Sequence, residues 1–385
     1  MASKKSSQDK VAAALQKVFG ADSAYRLGSG RTAHAQVEES LSTGIDVVDH
    51  YLVGGGGLPI GRITELYGGE NAGKTTFMYC MAGLAQRQVG AKVFVLDADH
   101  AFDETRAQQM GLNTEDTVVA SPPTIEHAFD MLRIVLANHD PANPLLLCWD
   151  PLAASVSGKR INEMATKAKA AMGATARVTS DQFPGLLTAL APARAHLLMT
   201  NQVRVNMGVM FGDNTTTPGG KAPKFYATNR LALLGGSGLK NAAGEHTGKV
   251  LTFLATKTRF VPPFRKARVR LDFARGYNNA WTTLEWAKTL DLVPKDAKVS
   301  DAAAVAKARE KLLTYNEDAR KKQLEALARE ETAGKGAKKG KKAAEAEKEE
   351  DEFMPSAPEE DPEAILDEAG EDELDEENEG SEEEE

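Results

Sequence analysis

The stretch Gly68-Gly69-Glu70-Asn71-Ala72-Gly73-Lys74-Thr75-Thr76 constrains this chain more than any other. It has the form G-x-x-x-x-G-K-[ST]. Residues 62–67 before it read as a short strand, and residues 76–85 after it read as a helix. The glycines let successive backbone N–H groups turn inward on an anion with no Cβ in the way. The helix that follows points its positive amino end at the same place. In such a loop Lys74 reaches the β- and γ-phosphates of a nucleotide, and Thr75 sets its hydroxyl on Mg²⁺. The bland alternative is a glycine-rich strand-to-helix turn that binds nothing. The flanking strand and helix speak against it.

The rest of the chain repeats the strand–helix alternation. Residues 9–19 form an expected helix with Val11, Leu15 and Val18 on one face. Residues 92–96 are an apolar strand ending in Asp97-Ala98-Asp99-His100. A helix over 124–138 is followed by the apolar strand 145–149, closed by Asp150. A helix near 180–190 leads to the strand 196–200, closed by Asn201-Gln202. Continuously apolar strands alternating with helices indicate a parallel sheet covered on both faces. Residues 230–234, 250–257 and 267–273 alternate better, and are expected to extend the sheet antiparallel. The fold class is therefore α/β, a central and mostly parallel twisted sheet flanked by helices. Four regions are expected: 1–40 as a helix and polar linker, 41–275 as the core, 276–331 as a charged helical region, and 332–385 as a disordered tail, Lys-rich and then acidic.

Charge is distributed unevenly. The net charge is −9, yet Glu349 to Glu385 holds 21 acidic residues and no Lys or Arg, so residues 1–348 carry a net +12. A basic body with an acidic tail fits a nucleic-acid binder with its own competing polyanion. It equally fits an ordinary body with a solubilising tail. No apolar run approaches the ~20 residues of a membrane helix, and the amino terminus has no apolar signal core. Cys80 and Cys148 lie inside apolar runs, as buried thiols of a reducing cytosol do.

Three strand ends carry polar groups beside the loop, the crevice where open α/β sheets bind ligands. Asp150 stands where a carboxylate holds the water shell of Mg²⁺, or else closes a turn. Asp99 can orient a water for attack on a γ-phosphate, or else cap the next helix. Gln202 can sense a γ-phosphate and report it to the long Gly/Thr-rich stretch of about 203–224. That stretch has Arg204 and Lys221 at its edges and Val209-Met210-Phe211 at its centre, which suits single-stranded nucleic acid. Residues 157–177 are Lys/Arg-rich, either a second contact region or a solvated basic helix.

With these segments in order, the chain resembles the bacterial and phage RecA-type recombinases. The resemblance rests on Leu41-Ser42-Thr43-Gly44, residues 57–62, Gly68–Thr76, Asp97-Ala98-Asp99-His100-Ala101, Met172-Gly173-Ala174-Thr175-Ala176-Arg177, Asn201-Gln202-Val203-Arg204, Gly208-Val209-Met210-Phe211-Gly212, Thr215-Thr216-Thr217, Gly219-Gly220-Lys221-Ala222 and Lys224-Phe225-Tyr226-Ala227. These blocks follow the family's order from about residue 9 to 275.

The resemblance implies a RecA-type P-loop ATPase core using ATP and Mg²⁺. Gly68, Gly69, Glu70, Asn71, Ala72, Gly73, Lys74, Thr75 and Thr76 would hold nucleotide, with Asp103 near the adenine. Arg106 replaces a stacking Tyr. Thr75 and Asp150 would serve the metal. Asp99 stands where the family has a catalytic Glu, and Gln202 matches the γ-phosphate sensor. Lys257 and Arg259 match two lysines that reach the neighbouring protomer's ATP, the Arg adding bidentate geometry. Met172, Gly173, Arg177 and Ser180 fall in one DNA-binding segment. Arg204, Asn206, Met207, Gly208, Val209, Met210, Phe211, Gly219, Gly220 and Lys221 fall in the other. The N-terminal helix matches an element that docks on the next subunit.

Leu233-Leu234, Thr252 and Leu254 stand where the family carries basic residues of a second DNA site. The implied function is a cytoplasmic, DNA-dependent ATPase that forms helical filaments on single-stranded DNA and exchanges strands with homologous duplex during repair and the SOS response. A single-strand-binding protein and loaders would be further partners, and no membrane is involved. The rival is a RecA-fold filament scaffold or loader without efficient strand exchange, which the Asp99 change and the missing basic pair motivate.

Overall fold

The structure, a computed structural model, describes residues 7–20, 24, 39–159, 173–205, 215–319 and 321. Strand β1 (Ile63–Gly68) lies at the middle of the main sheet and is buried at five of six positions. The other strands are β2 (Lys92–Asp97), β3 (Thr117–Ala120), β4 (Leu145–Asp150), β5 (Ala195–Gln202), β6 (Asn229–Lys240), β7 (His246–Lys257), β8 (Lys266–Asp272) and β9 (Gly276–Tyr277). Among the described residues the sheet has nine strands in the order β9-β8-β7-β6-β1-β5-β4-β2-β3. The half from β1 to β3 is parallel, as continuously apolar strands require.

One expectation needs correction. Strand β6 does not join antiparallel: Asn229 to Leu233 pair parallel with Thr64 to Gly68. Only β7, β8 and β9 continue antiparallel. An alternating pattern reports a half-exposed strand, and β6 is exposed beyond Leu233 because there it outruns β1. Alternation carries no information about the direction of the neighbour.

Helices cover both faces. On one face pack α2 (Lys74–Val89), a π-helical turn (Val47–Leu52), α7 (Asn279–Thr289) and α8 (302–319). Ala308 and Leu312 of α8 are fully buried there, and Tyr315 stacks edge-on against Tyr51 and Trp286. On the other face lie α4 (Ile125–Asn138), α5 (Ala174–Leu190) and α6 (Ala222–Tyr226). Phe129 joins Trp149 and Phe183 there at 5.2 and 5.3 Å, both edge-to-face. Each such ring contributes about 1.5–3 kcal/mol by burial.

Helix α5 starts earlier than expected, at Ala174, and runs through Pro184. The buried row Phe183, Leu186 and Leu190 holds it against the sheet despite the missing N–H. The short α3 (Glu104–Gln109) starts at Asp103, whose carboxylate accepts from the Arg106 N–H at 2.9 Å. Thus Asp103, and not Asp99, caps the helix after β2. Helix α1 (Ser7–Phe19) buries none of its residues, and Val11, Leu15, Val18 and Phe19 are exposed.

Candidate nucleotide site and its flanking segments

The loop after β1 needs its glycines. A Cβ on Gly68 would stand 2.4 Å from the Leu233 carbonyl oxygen of β6. Gly73 sits at φ 91, where side chains are strained, and opens α2; its carbonyl accepts from the Tyr277 hydroxyl at 3.2 Å. Asn71 also adopts a positive φ of 54. Lys249 of β7 donates to the Asn71 carbonyl. Lys249 and Tyr277 belong to strands 170 residues and more downstream, and no motif spacing signals them.

Lys74 is buried, and its Nζ donates to the Gly68 and Gly69 carbonyls at 3.1 and 2.7 Å. Burial lowers the pKa of its ammonium, the carboxylates of Asp150 and Glu70 oppose that, and Lys249 adds to the lowering. A desolvated ammonium hydrogen-bonded to neutral carbonyls favours a nearby anion.

At the end of β4, Asp150 Oδ2 accepts from Thr75 Oγ1 at 2.7 Å, and Thr200 Oγ1 donates to Asp150 Oδ1. One hydroxyl and one carboxylate suit Mg²⁺, which takes few protein ligands and completes its shell with phosphate and water. The residues present therefore fit a nucleotide with Mg²⁺.

Asp97, Asp99 and Asp150 line one small pocket with Thr75. Asp97 lies opposite Asp150 in the sheet and accepts from the N–H groups of Ala101 and Phe102 at 3.0 and 3.2 Å. The turn thereby presents Asp99 to the pocket. Its carboxyl is held above the ordinary range, first by partial burial, then by the charges of Asp150 and Asp97. Gln202, at the end of β5, is the direct sheet partner of Gly68.

Other expected residues lie apart. Arg106 Nη1 donates to the Phe273 carbonyl at 2.5 Å, bridging α3 to the end of β8. Lys257 lies opposite Arg230, which lies opposite Glu65, so it sits three β1 residues short of Gly68. Its Nζ donates to the Lys224 and Phe225 carbonyls at 2.8 and 2.7 Å, closing the last turn of α6. Burial first, then Arg259 and Arg230, lower its pKa. Within the chain, Lys257 is thus not gathered at the phosphate loop, and Arg259 is one of the charges beside Lys257.

The Gly-rich stretch is anchored by a two-rung antiparallel ladder, Arg204 opposite Thr216 and Val205 opposite Thr215. Asn206, Met207, Gly208, Val209, Met210 and Phe211 lie outside the described residues, as does Met172. Gly219 and Gly220 have φ of 93 and 73. The Gly219 carbonyl accepts from Thr179 Oγ1 of α5 at 2.7 Å, and a Cβ on Gly220 would meet Ala176 at 2.6 Å. Gly173, Arg177, Ser180 and Lys221 are exposed around this junction. Ser180 Oγ donates to the Ala176 carbonyl at 2.9 Å, inside its own helix.

A glycine-rich cradle at the carboxyl end of a central parallel strand, with acidic strand ends beside it, defines a P-loop protein with a RecA-type α/β core. The model of the RecA N-terminal domain matches residues 7–278. Protein RecA of Thermus thermophilus is 34% identical over 275 residues, covering 71% of this chain and 78% of that protein. Protein RecA of Bdellovibrio bacteriovorus is 34% identical over 281 residues, covering 73% and 72%. Protein RecA of Bacillus cereus is 32% identical over 295 residues, covering 77% and 83%. The chain belongs to the RecA family.

Proposed function

We propose that the protein is an ATP-dependent DNA recombinase, acting in the cytoplasm. It assembles on single-stranded DNA as a helical filament and exchanges strands with homologous duplex. The observation that carries this is the pairing of Gln202 with Gly68. A side chain able to read a phosphate begins the very backbone that continues to Arg204. Family membership supports the same reading.

Bound ATP would supply the scissile phosphate and Mg²⁺ the charge that neutralises it, with Thr75 as the metal's protein ligand and Asp150, which accepts from the Thr75 hydroxyl, holding the metal's water shell. Lys74 gives its ammonium to the β- and γ-phosphates in place of two carbonyls. Asp99 orients the attacking water and takes its proton. Asp103 and Arg106 flank the base. Gln202 contacts the terminal phosphate and, through its backbone, moves the stretch that follows.

Single-stranded DNA lies against Gly173, Arg177 and Ser180 and against the stretch from Arg204 to Lys221. Phosphate contacts make that binding fall steeply with salt. The exposed apolar stripe of α1 supports docking on a second copy of this chain. In that assembly Lys257 and Arg259 reach the nucleotide of the neighbour, so hydrolysis follows filament assembly.

The test is ATP hydrolysis with and without single-stranded DNA, with Lys74→Ala as the blank. Stimulation by DNA that is absent in the variant is the expected result. Hydrolysis indifferent to DNA, with no DNA binding, would overturn the proposal.

A further inference from the structure

Behind the phosphate loop lies a polar network that no part of the nucleotide chemistry uses. Glu65 of β1 is fully buried. Its Oε2 accepts from Arg230 Nε of β6 at 2.6 Å, and the Arg230 guanidinium stacks on the Tyr67 ring at 4.6 Å. Its Oε1 accepts from Asn201 Nδ2 at 2.9 Å. The same Nδ2 donates to the Pro218 carbonyl at 3.0 Å, and Asn201 Oδ1 accepts from the Gln202 N–H at 3.0 Å. One buried carboxamide therefore touches β1, the residue beside Gly68, and the backbone that returns from the 206–214 stretch.

That returning backbone is itself fixed. Thr179 of α5 holds the Gly219 carbonyl, and Ala176 abuts Gly220. Tyr67, the last residue before the phosphate loop, donates through its hydroxyl to Thr256 Oγ1 at 2.9 Å, and Thr256 Oγ1 donates to the Arg230 carbonyl at 3.3 Å. The flanks of both basic segments and both residues that lead into the nucleotide site thus meet in one hydrogen-bonded unit. A buried ion pair adds little stability over apolar residues of equal size, and specifying one arrangement is its better-attested use. A buried polar network whose members are all paired rigidifies its surroundings.

We infer that Asn201 and Glu65 are positioning residues that couple nucleotide binding to DNA binding, by tying Gln202 and β1 to the backbone at Pro218–Gly219. This rests on the proposed reading that the surface around Arg177 and Lys221 faces single-stranded DNA. A shift of the Gln202 backbone moves the Asn201 carboxamide, and with it the Pro218 carbonyl. Neither residue touches nucleotide or DNA.

The test measures the affinity of the full chain for a single-stranded oligonucleotide, with and without a non-hydrolysable ATP analogue and Mg²⁺. Wild type is compared with Asn201→Ala and with the double variant Glu65→Leu, Arg230→Met. The double variant exchanges the ion pair for apolar side chains and keeps the fold testable should Asn201→Ala fail to fold. In wild type the analogue tightens DNA binding. In the variants that gain falls roughly tenfold, within the usual range of coupling between two sites. Binding of a fluorescent ADP analogue without DNA stays within about threefold of wild type, because the phosphate loop is intact. A merely structural role would weaken both affinities together and leave the gain unchanged, and that result overturns the inference. A wild type in which the analogue changes nothing overturns the proposed function itself, and the inference with it.

Discussion

In the proposed function Asp99 takes a proton from water and must be ionised to do so, yet partial burial and the charges of Asp150 and Asp97 keep it protonated to a higher pH than an ordinary Asp. Hydrolysis is therefore expected to fall on acidification at a pH above the ordinary aspartate value of 3.8. A pH profile of kcat locates the limb, and Asp99→Asn should remove it while lowering kcat by about 10²–10⁴-fold. Nucleotide affinity should persist in that variant, since Lys74 and the loop remain.

His196 shows the opposite sign. Its ring is fully buried, Nδ1 lies 2.8 Å from the Pro59 carbonyl oxygen, and Nε2 has no hydrogen-bond partner among the described residues. Burial lowers its pKa from 6.5 to about 4. Between those values the unfolded chain binds a proton that the folded chain refuses, so stability is lost as pH falls from 6.5 toward 4. The loss approaches about 3 kcal/mol. In His196→Leu, urea midpoints at pH 7 and pH 5 should lie closer together than in wild type.

At the scale of elements, α2 makes the sharpest case. Gly83 lies inside this helix, where Gly→Ala ordinarily gains ~1 kcal/mol. Here the new Cβ would stand 2.2 Å from the Gly111 carbonyl oxygen. Backbone does not yield as a side chain does, so Gly83→Ala should destabilise by about 1–3 kcal/mol in urea unfolding.

The phosphate loop, its strand and its helix were legible because they depend on neighbours in sequence. The apolar strands β2, β4 and β5 were legible because burial on both faces leaves no polar positions. What stayed hidden depends on distant partners. Glu65 reads as one polar residue in a strand, and its meaning comes from Asn201 and Arg230, 136 and 165 residues away. Lys249 and Tyr277 reach the phosphate loop only because β7 and β9 pass it. The start of α5 was obscured by small residues and by Pro184, whose cost tertiary packing offsets.

Helices α7 and α8 pack into the same buried cluster as α2 and are expected to unfold with it. Leu312 and Ala308 are fully buried against the face that also holds α2. Arg309 reaches Asp46 at 2.9 Å, but Arg309 is 62% exposed, so burial and not charge holds α8. Leu312→Ala should cost about 2–5 kcal/mol, with one urea transition shifting as a whole. A separate, earlier transition would mean that α8 unfolds on its own.

The ladder that joins Arg204 to Thr216 governs how this architecture can diversify. Its two strands lie one sheet spacing apart, about 4.8 Å, so the segment they bracket starts and finishes at nearly one point. Doubling the length of such a segment costs only ~0.6 kcal/mol in closure entropy. The bracketed stretch is therefore an exchangeable cassette. A segment of different length and composition, spliced between the same two rungs, should leave the unfolding free energy within about 1 kcal/mol while changing the affinity for single-stranded DNA that the proposed function assigns to this stretch.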